Sequence, residues 1–291
     1  MKLVTFEEGR STRIGVLTDG GIVDLSRASP SLPKVMIALI EAWGILKEKV
    51  SNIVSTASEY IPLESVHLLA PVLRPSKIMA IGLNYAAHIE EAGMKIPQRQ
   101  TWFSKQINAV SGPYDPIELP IASEQLDYEA ELVVVIGRRA KHVERAAALS
   151  YVFGYCIGND VSVRDFQAHS SQWVVGKSFD THAPYGPWIT TSDELDDPQT
   201  LGVRCFVNGQ PRQIANTDQM IFKISDQIVY LSQAMTLEAG DVIFTGTCEG
   251  VGIGFKPPKW LRVGDRCRVE IDRLGVIENV VKEEVLPVIE T

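Results

Sequence analysis

The stretch of sequence that decides the fold is Asp127-Tyr-Glu129-Ala-Glu131, which runs directly into Leu132-Val-Val-Val-Ile136. Side chains alternate between the two faces of a β-strand, so Asp127, Glu129 and Glu131 are expected on one face. Beyond Glu131 the residues are apolar on both faces, which predicts a buried strand whose leading end carries carboxylates. Unpaired ionised carboxylates in such a place each cost several kcal/mol. We therefore expect a positive group between them, and a divalent cation is the simplest candidate.

A third candidate ligand, Asp160, ends a second apolar stretch at residues 152–159. Carboxylate oxygens from two neighbouring strands, with no His or Cys beside them, suit Mg²⁺ or Mn²⁺ better than zinc or copper. The sequence therefore predicts a magnesium or manganese site on Glu129, Glu131 and Asp160. For Asp127, a ligand role and the role of an ordinary strand-end residue stay equally open.

The composition limits the kinds of partner. The chain of 291 residues has a formal net charge of -8, which argues against a nucleic-acid partner and against an anionic membrane surface. It contains no run of about 18 apolar residues and opens without the apolar region of a signal peptide. Its four cysteines are widely spaced, which is typical of reduced thiols. We expect a soluble cytoplasmic protein with a small-molecule partner.

The apolar pattern indicates a boundary near residue 70, which divides the chain into a small N-terminal domain (1–70) and a larger domain (71–291). Residues 1–25 predict a small antiparallel meander with an Asp-Gly-Gly turn. Residues 32–60 carry apolar residues at helical spacing and predict one or two helices.

Most strand signals lie in the larger part, including a hairpin across Asn208-Gly209. A helix is expected over about 218–235, with Asn216 or Thr217 as its cap. Strands outnumber helices and several pairs are expected to be antiparallel. The sequence therefore predicts an α+β, β-rich fold rather than a doubly wound sheet.

A predicted helix beginning at about Asn84 places His88 and Glu91 one turn apart on the same face. In that geometry the carboxylate orients the imidazole and raises its basicity, so that the pair is able to activate water. An ordinary surface histidine near acids has the same spacing. The spacing alone does not separate these two interpretations.

Cations and an amide follow Asp160 closely in the sequence. Arg164 and Gln167 lie one helical turn apart, and Lys177 stands among apolar residues. Next to a metal site, such groups favour an anionic substrate that carries a carboxylate. Taken alone, each of them is more often a surface residue.

The glycine-rich stretch 244–254 follows an apolar strand. Its spacing is G-x-G-x-G, which differs from both the dinucleotide fingerprint and the P-loop. We expect its backbone N–H groups and the Thr247 hydroxyl to meet a substrate oxyanion. A lid is expected around 94–103, and near it Arg99 and Lys105 are candidates for a second substrate carboxylate, although exposed loop cations are common.

Taken together, these motifs resemble those of the fumarylacetoacetate hydrolase family in content, order and spacing. The resemblance spans about residues 72–285. The motifs that carry it are Gly82-Leu-Asn-Tyr85-Ala-Ala-His88, Asp127-Tyr-Glu129-Ala-Glu131, Gly158-Asn-Asp160-Val-Ser-Val-Arg164-Asp-Phe-Gln167, Lys177-Ser-Phe-Asp180 and Thr245-Gly-Thr247. Two departures, Cys248 in place of a frequent proline and Ala87 in place of a frequent acid, leave the substrate preference open.

The resemblance implies a mixed β-roll fold, a small N-terminal domain and a homodimer. It implies Mg²⁺ or Mn²⁺ on the three acids named above and a catalytic group that includes the water-activating dyad on a mobile lid. The residues assigned to catalysis are His88, Glu91 and Lys177, and those assigned to substrate binding are Arg164, Gln167, Thr247 and Tyr85.

The resemblance implies an enzyme that acts on a 2-oxo acid. The first hypothesis is hydrolysis of a carbon-carbon bond in an acylpyruvate of the fumarylpyruvate kind, in aromatic catabolism, with a pyruvate enolate as the leaving group stabilised by the metal. The alternatives are decarboxylation of an oxaloacetate-like acid and isomerisation of a hydroxymuconate-type diacid. A metabolite-binding protein that has lost its chemistry is a hypothesis of another class, and retention of His88 with the three acids speaks against it.

Overall fold

The computed structural model describes residues 1–9 and 11–285. The strands are β1 (Lys2–Glu8), β2 (Ser11–Thr18), β3 (Gly21–Asp24), β4 (His67–Leu69), β5 (Ile78–Gly82), β6 (Thr101–Lys105), β7 (Val110–Ser111), β8 (Ile117–Leu119), β9 (Leu126–Asp127), β10 (Ala130–Ile136), β11 (Val152–Asn159), β12 (Ser162–Val163), β13 (Ala183–Thr191), β14 (Gly202–Val207), β15 (Gln210–Asn216), β16 (Val242–Phe244), β17 (Arg266–Ile271) and β18 (Gly275–Glu283). The α-helices are α1 (Leu25–Ala28), α2 (Met36–Glu41), α3 (Trp43–Ser55), α4 (Ala86–Glu91), α5 (Arg164–Ala168) and α6 (Ile224–Ala234). None of the helices in these described ranges is long and apolar enough to cross a membrane.

An 11-stranded sheet forms the centre of the fold. Its order is β3-β2-β1-β13-β11-β10-β16-β5-β6, with β4 paired to β1 and β7 paired to β13. The antiparallel run β1-β2-β3 confirms the predicted meander, and α2 and α3 confirm the predicted helices after it. A 5-stranded sheet, β15-β14-β17-β18-β8, contains the predicted hairpin across Asn208-Gly209.

Strand β10 is buried on both faces, as its apolar sequence predicts. Leu132, Val134 and Ile136 belong to the hydrophobic cluster shared with the 5-stranded sheet. Val133 and Val135 belong to a second cluster, on the side where α2 and α3 pack. The alternation of a regular strand explains this division, because neighbouring side chains leave the backbone in opposite directions.

The N-terminal segment contributes strands to the same sheet that carries β10. Strand β1 pairs antiparallel with β13, so that Lys2 lies opposite Thr190. The division into domains 1–70 and 71–291 stays a prediction, and residues 286–291 of the second range lie outside the described residues.

The helix expected over about 218–235 begins later than predicted, at Ile224. Asn216 is indeed a cap, but it caps a short 3₁₀ turn that precedes α6. The backbone N–H of Phe222 donates instead to the side-chain oxygen of Asn84, at 2.8 Å. A tertiary contact to the residues before α4 therefore replaces the first turn of the expected helix.

Two turns share one sequence pattern, Leu237-Glu-Ala-Gly240-Asp241 and Leu261-Arg-Val-Gly264-Asp265. In both turns the aspartate accepts a hydrogen bond of 2.7 Å from the backbone N–H three residues earlier. The glycine before it has a positive φ in each, 82° and 90°. Asp241 is buried and also accepts the backbone N–H of Lys77 at 3.0 Å, whereas Asp265 is partly exposed.

Replacing each aspartate by alanine measures what burial adds to the same turn. Asp241→Ala should lower the free energy of unfolding by about 3 kcal/mol, because the Ser76 hydroxyl and the backbone N–H groups of Lys77 and Glu238 lose their acceptor. Asp265→Ala should lower it by about 1 kcal/mol, because water replaces the lost acceptor. Urea denaturation of the two variants checks this, and equal losses would contradict the explanation.

Candidate active site

Eight of the ten predicted site residues line one cavity of about 420 Å³, whereas Asp160 and Tyr85 do not. Its wall is built from the end of β5, helix α4, the start of β10, helix α5 and the glycine-rich stretch. The predicted site residues that line it are His88, Glu91, Glu129, Glu131, Arg164, Gln167, Lys177 and Thr247.

Three buried carboxylates cluster at the base of this cavity, where Glu129 and Glu131 line the wall and Asp160 lies behind them without lining it. One oxygen from each of Glu129, Glu131 and Asp160 lies within 4.8 Å of the other two. Antiparallel pairing of β10 with β11 brings them together, because Glu131 lies opposite Gly158 and the Asp160 N–H donates to the Glu129 carbonyl at 2.9 Å. The carboxylates predicted from separate strand ends therefore form one cluster.

Two of the three carboxylates are held by protein cations. The Lys177 Nζ lies 2.6 Å from Glu129 Oε2 and 2.8 Å from Asp160 Oδ2. The other oxygen of each carboxylate also has a cationic partner. Arg164 Nη1 lies 2.6 Å from Glu129 Oε1, and Lys105 Nζ lies 2.5 Å from Asp160 Oδ1. Burial alone would raise the pKa of Glu129, but Lys177 and Arg164 outweigh it and lower this pKa to about 2.

Glu131 has a different environment. Its Oε2 accepts the backbone N–H of Gly246 at 2.7 Å, and within the described residues no Lys or Arg nitrogen lies within 4.0 Å of its carboxylate. Burial, and then the negative charges of Asp160 and Glu129, raise the pKa of Glu131 well above its ordinary value. The floor of the cavity therefore lacks one positive charge beside Glu131.

These residues fit a hard divalent cation. The donor set offers carboxylate oxygens without a nitrogen or sulfur ligand, which suits Mg²⁺ or Mn²⁺. A carboxylate oxygen has enough lone pairs to accept an N–H and to bind an ion as well, so Lys177 does not exclude one. The carboxylate that most needs a cation, Glu131, is one of the three.

The structure gives Asp127 a positioning role. Its carboxylate accepts the backbone N–H groups of Gly252 at 2.6 Å and Ile253 at 3.0 Å, and it holds Arg164 Nε at 2.8 Å. It is not part of the carboxylate cluster described above. Of the two interpretations left open by the sequence, the geometry favours an anchor for the glycine-rich stretch over a metal ligand.

Lys105 differs from the loop cation that the sequence suggested. It ends β6 and is almost completely buried, and its Nζ also donates to the Val161 carbonyl at 3.1 Å. Burial lowers its pKa, although Asp160 opposes this effect. The expectation that Lys105 meets a second carboxylate of the substrate is wrong, since Lys105 is buried against Asp160 and does not line the cavity.

His88 and Glu91 face the cavity from α4 rather than the open surface. The two atoms His88 Nδ1 and Glu91 Oε2 are 3.5 Å apart. Both oxygens of Glu91 also accept the backbone N–H of Gly250, at 3.0 and 3.2 Å. The Glu91 carboxylate is thus fixed by the glycine-rich stretch next to the imidazole, but within the described residues His88 Nδ1 has no hydrogen-bond partner. A small rotation of the ring would complete the pair that orients a general base.

Arg164 and Gln167 meet on α5, as their spacing predicts. The Arg164 Nη1 donates to Gln167 Oε1 at 3.0 Å, which leaves the amide N–H₂ of Gln167 free to donate. The buried Arg164 Nη2 has no hydrogen-bond partner within the described part of the chain. Since both residues line the cavity, their N–H groups are available to an anion.

Two predicted substrate residues are placed differently. The Thr247 hydroxyl lines the cavity, but it donates its hydrogen to the Ala130 carbonyl at 3.0 Å and so offers no proton to an oxyanion. Tyr85 packs in the hydrophobic core and does not line the cavity. As the residue before α4, it holds the start of the helix that carries the dyad.

Two buried amides of the site carry no signal in the sequence. Asn159 accepts the Glu129 N–H at 2.9 Å, and Gln213 accepts the Ala130 N–H at 2.9 Å. Asn159 lies inside a recognised motif, where its neighbour Asp160 attracts attention first. Gln213 lies on β15, more than eighty residues along the chain from its partner, so no local pattern points to it.

Comparison with known proteins decides the family. Residues 77–282 match the family model described as fumarylacetoacetate (FAA) hydrolase C-terminal. The chain belongs to the fumarylacetoacetate hydrolase family. The family resemblance inferred from the motifs is thereby confirmed, and so is the α+β, β-rich fold expected for it.

Relatives of this family member carry different activities in their names. It is 43% identical to the oxaloacetate tautomerase FAHD2A, mitochondrial, of Bos taurus over 90% of this chain and 84% of that protein. The maleylpyruvate hydrolase of Sphingobium sp. SYK-6, solved with manganese(II) and pyruvate, has a TM-score of 0.83 and 36% identity, covering 98% of this chain and all of that one. A 5-carboxymethyl-2-hydroxymuconate delta-isomerase of Mycobacterium smegmatis has a TM-score of 0.78 and 34% identity over the same shares.

The curated relatives also correct the expected location. The tautomerases of Bos taurus, Rattus norvegicus and Xenopus laevis that resemble this family member are described as mitochondrial. This finding contradicts the expectation of a cytoplasmic protein, which rested on composition and cysteine spacing. Neither property distinguishes one reducing compartment from another.

Substituting Glu131 and Glu129 in turn tests whether Glu131 lacks a positively charged partner in the ion-free protein. The pKa of Glu131 is raised in the folded state, so the free energy of unfolding of the ion-free protein falls as the pH rises from the ordinary glutamate pKa toward the raised one. A glutamine at this position does not titrate and avoids this loss. Glu131→Gln should therefore raise the melting temperature of the EDTA-treated protein at neutral pH by about 2 °C or more. It should also remove the further rise that Mn²⁺ produces in the parent.

Glu129→Gln is the matched control, because Glu129 has two cationic partners. It should lower the melting temperature of the EDTA-treated protein, since Lys177 and Arg164 each lose a buried partner. Differential scanning fluorimetry with EDTA and with Mn²⁺ measures both variants. The explanation fails if Glu131→Gln destabilises the ion-free protein as much as Glu129→Gln does.

Proposed function

We propose that this chain is a metal-dependent enzyme that interconverts the keto and enol forms of a short 2-oxo diacid of the oxaloacetate kind. The observation that carries the proposal is the arrangement of one cavity, with an imidazole 3.5 Å from a carboxylate on one wall and a cluster of three buried carboxylates, two of which line the cavity, at its base. The similarity to oxaloacetate tautomerase FAHD2A supports this reaction over the hydrolysis that the motifs first suggested.

The substrate needs cationic and hydrogen-bonding partners for its carboxylates. Arg164 and Gln167 line the cavity, and the unpaired Arg164 Nη2 and the amide N–H₂ of Gln167 are the donors proposed to bind one carboxylate. Lys177, whose pKa is raised because Asp160 and Glu129 outweigh the effect of burial, stays an ammonium and adds positive charge beside them. These groups fix the orientation of the 2-oxo acid against the floor.

His88 is proposed to move the proton. Tautomerisation transfers one proton from C3 to the 2-oxo oxygen, so no atom enters or leaves the substrate. With Nδ1–H turned toward Glu91, the Nε2 atom of His88 is a base that takes the C3 proton and returns it to the oxygen. A divalent ion on the three carboxylates would draw electron density from the 2-oxo group and make the C3–H bond more acidic.

Hydrolysis of an acylpyruvate is the second candidate. It is favoured by the same dyad, because His88 held by Glu91 is equally able to deprotonate a water molecule. The structural similarity to a maleylpyruvate hydrolase supports it as well. The two reactions differ in whether a carbon-carbon bond breaks, which makes them separable by their products.

The oligomer and the partners stay proposals. We propose the homodimer that the family resemblance implies, and a small 2-oxo acid as the partner instead of a nucleic acid or a membrane. Light scattering coupled to size-exclusion chromatography measures the oligomer directly.

Removal of the base tests the proposed reaction. His88→Ala should slow the enol-to-keto conversion of oxaloacetate by about 10² to 10⁴-fold with Mn²⁺ present, because the general base is lost. The decay of enol absorbance measures the rate, and an assay for pyruvate detects decarboxylation or hydrolysis. His67→Ala, an exposed histidine paired with Asp115, is the control and should keep the parent rate.

Different products would favour the other reactions. Parent protein that releases pyruvate from an acylpyruvate faster than it tautomerises oxaloacetate is a hydrolase. Pyruvate release from oxaloacetate that survives His88→Ala would indicate a decarboxylase, which depends less on the base. Full activity after removal of divalent metal would overturn the proposed metal dependence for all three.

A side chain at Gly254 should displace the dyad without unfolding the chain. A Cβ at this position would lie 2.2 Å from the Glu91 Cδ, so Gly254→Ala must move that carboxylate. We expect kcat to fall by about 100-fold, because small misplacements of catalytic groups are costly. Gly44→Ala is the control, since a Cβ there meets open space on α3 and should leave activity unchanged. Parent activity in Gly254→Ala would show that the position of Glu91 does not matter.

A further inference from the structure

The backbone between β9 and β10 is not paired as a continuous strand. Three consecutive N–H groups there donate to side chains: that of Tyr128 to Asp127 at 2.8 Å, that of Glu129 to Asn159 at 2.9 Å and that of Ala130 to Gln213 at 2.9 Å. The N–H groups of residues 128–130 are therefore satisfied by side-chain acceptors, in addition to the pairing with β11 that begins at Ala130.

Gln213 also holds the opposite side of the cavity. Its Nε2 donates to Thr247 Oγ1 at 2.8 Å and to the Cys248 carbonyl at 2.9 Å. The Thr247 hydroxyl passes its own hydrogen to the Ala130 carbonyl at 3.0 Å, which closes a ring of hydrogen bonds around Ala130. One amide thus joins the carboxylate-bearing segment to the glycine-rich stretch.

This amide comes from a different sheet and does not touch the cavity. Gln213 lies on β15, at the edge of the 5-stranded sheet, and is completely buried. It is absent from the residues that line the cavity. The contact therefore ties β15 of the 5-stranded sheet to the segment that carries Glu129 and Glu131.

Only a side chain with both an acceptor and a donor at its tip satisfies these contacts. A glutamate keeps the acceptor for the Ala130 N–H, but it points a second acceptor at the Cys248 carbonyl and at Thr247. A methionine of similar length loses both functions and leaves the N–H and the carbonyl without partners.

We propose that Gln213 is a positioning residue for the metal site: it sets the distance between the segment of Glu129 and Glu131 and the Gly246-Thr247 backbone that holds Glu131. This inference rests on the proposed function only where it predicts a change in kcat on oxaloacetate. Its metal-binding readout stands independently, because ligand placement governs the affinity for Mn²⁺ whatever reaction follows.

The test compares Gln213→Glu and Gln213→Met with the same substitutions at Gln210, an exposed glutamine on the same strand. Full-length variants are titrated with Mn²⁺ by calorimetry, and the bound ion is examined by electron paramagnetic resonance. Both Gln213 variants should bind Mn²⁺ about 10 to 100-fold more weakly and show altered resonance line shapes. Their kcat on oxaloacetate should fall with little change in KM, whereas both Gln210 variants should match the parent.

Parent Mn²⁺ affinity and line shape in the folded Gln213 variants would overturn the proposal. If neither Gln213 variant folds while the Gln210 variants do, the residue is a folding requirement and the positioning role is also overturned. If the parent fails to act on oxaloacetate but Mn²⁺ affinity drops as expected, the proposed function fails and the positioning role of Gln213 holds.

Discussion

The site depends on an uneven balance of buried charge. Four carboxylates and three cations are packed together beneath the cavity, and each of the cations contacts at least one of the carboxylates; they are Asp127, Glu129, Glu131 and Asp160 with Lys105, Arg164 and Lys177. Since a buried charge without a partner is strongly unfavourable, the excess carboxylate must either hold a proton or find a further cation. Binding of a divalent ion is thus expected to release a proton from Glu131, which couples metal affinity to pH.

The glycine-rich stretch is the common support of the site. Its backbone N–H groups donate hydrogen bonds to three carboxylates: that of Gly246 to Glu131, that of Gly250 to Glu91 and that of Gly252 to Asp127. Acids from three separate segments therefore take their positions from one short piece of main chain. Backbone donors of this kind cannot rotate away as side chains do, so Glu91 and the carboxylate cluster keep a constant relation. The two reactions proposed above would both need this relation.

The parts of the site that local rules govern were predictable. Alternation along a strand leads to Glu129 and Glu131, and spacing along a helix leads to the pairs His88 with Glu91 and Arg164 with Gln167. The end of a second apolar stretch leads to Asp160, and an apolar setting marks Lys177, but no spacing rule reveals their mutual contact at 2.8 Å.

The remaining parts depend on contacts between distant segments. Lys105 looks like a loop cation until β6 joins the sheet and buries it beside Asp160. Asn84 sets where α6 begins, because it accepts the Phe222 N–H. The Thr247 hydroxyl is engaged by the Ala130 carbonyl and by the Gln213 amide, so it is not free to bind a substrate oxygen. In each case the deciding partner lies far away in the chain, where neither propensity nor periodicity carries information.

The break between β9 and β10 also has a consequence for how this protein tolerates change. Because strand side chains alternate with a period of two, deleting or inserting one residue between Asp127 and Glu131 would exchange the inward and outward sets. Ala130 or Leu132 would then take the place of a carboxylate beneath the cavity, while acids would enter the apolar layer against the neighbouring sheet. Substitutions here alter the chemistry of single positions, whereas a change in length would invert the whole segment.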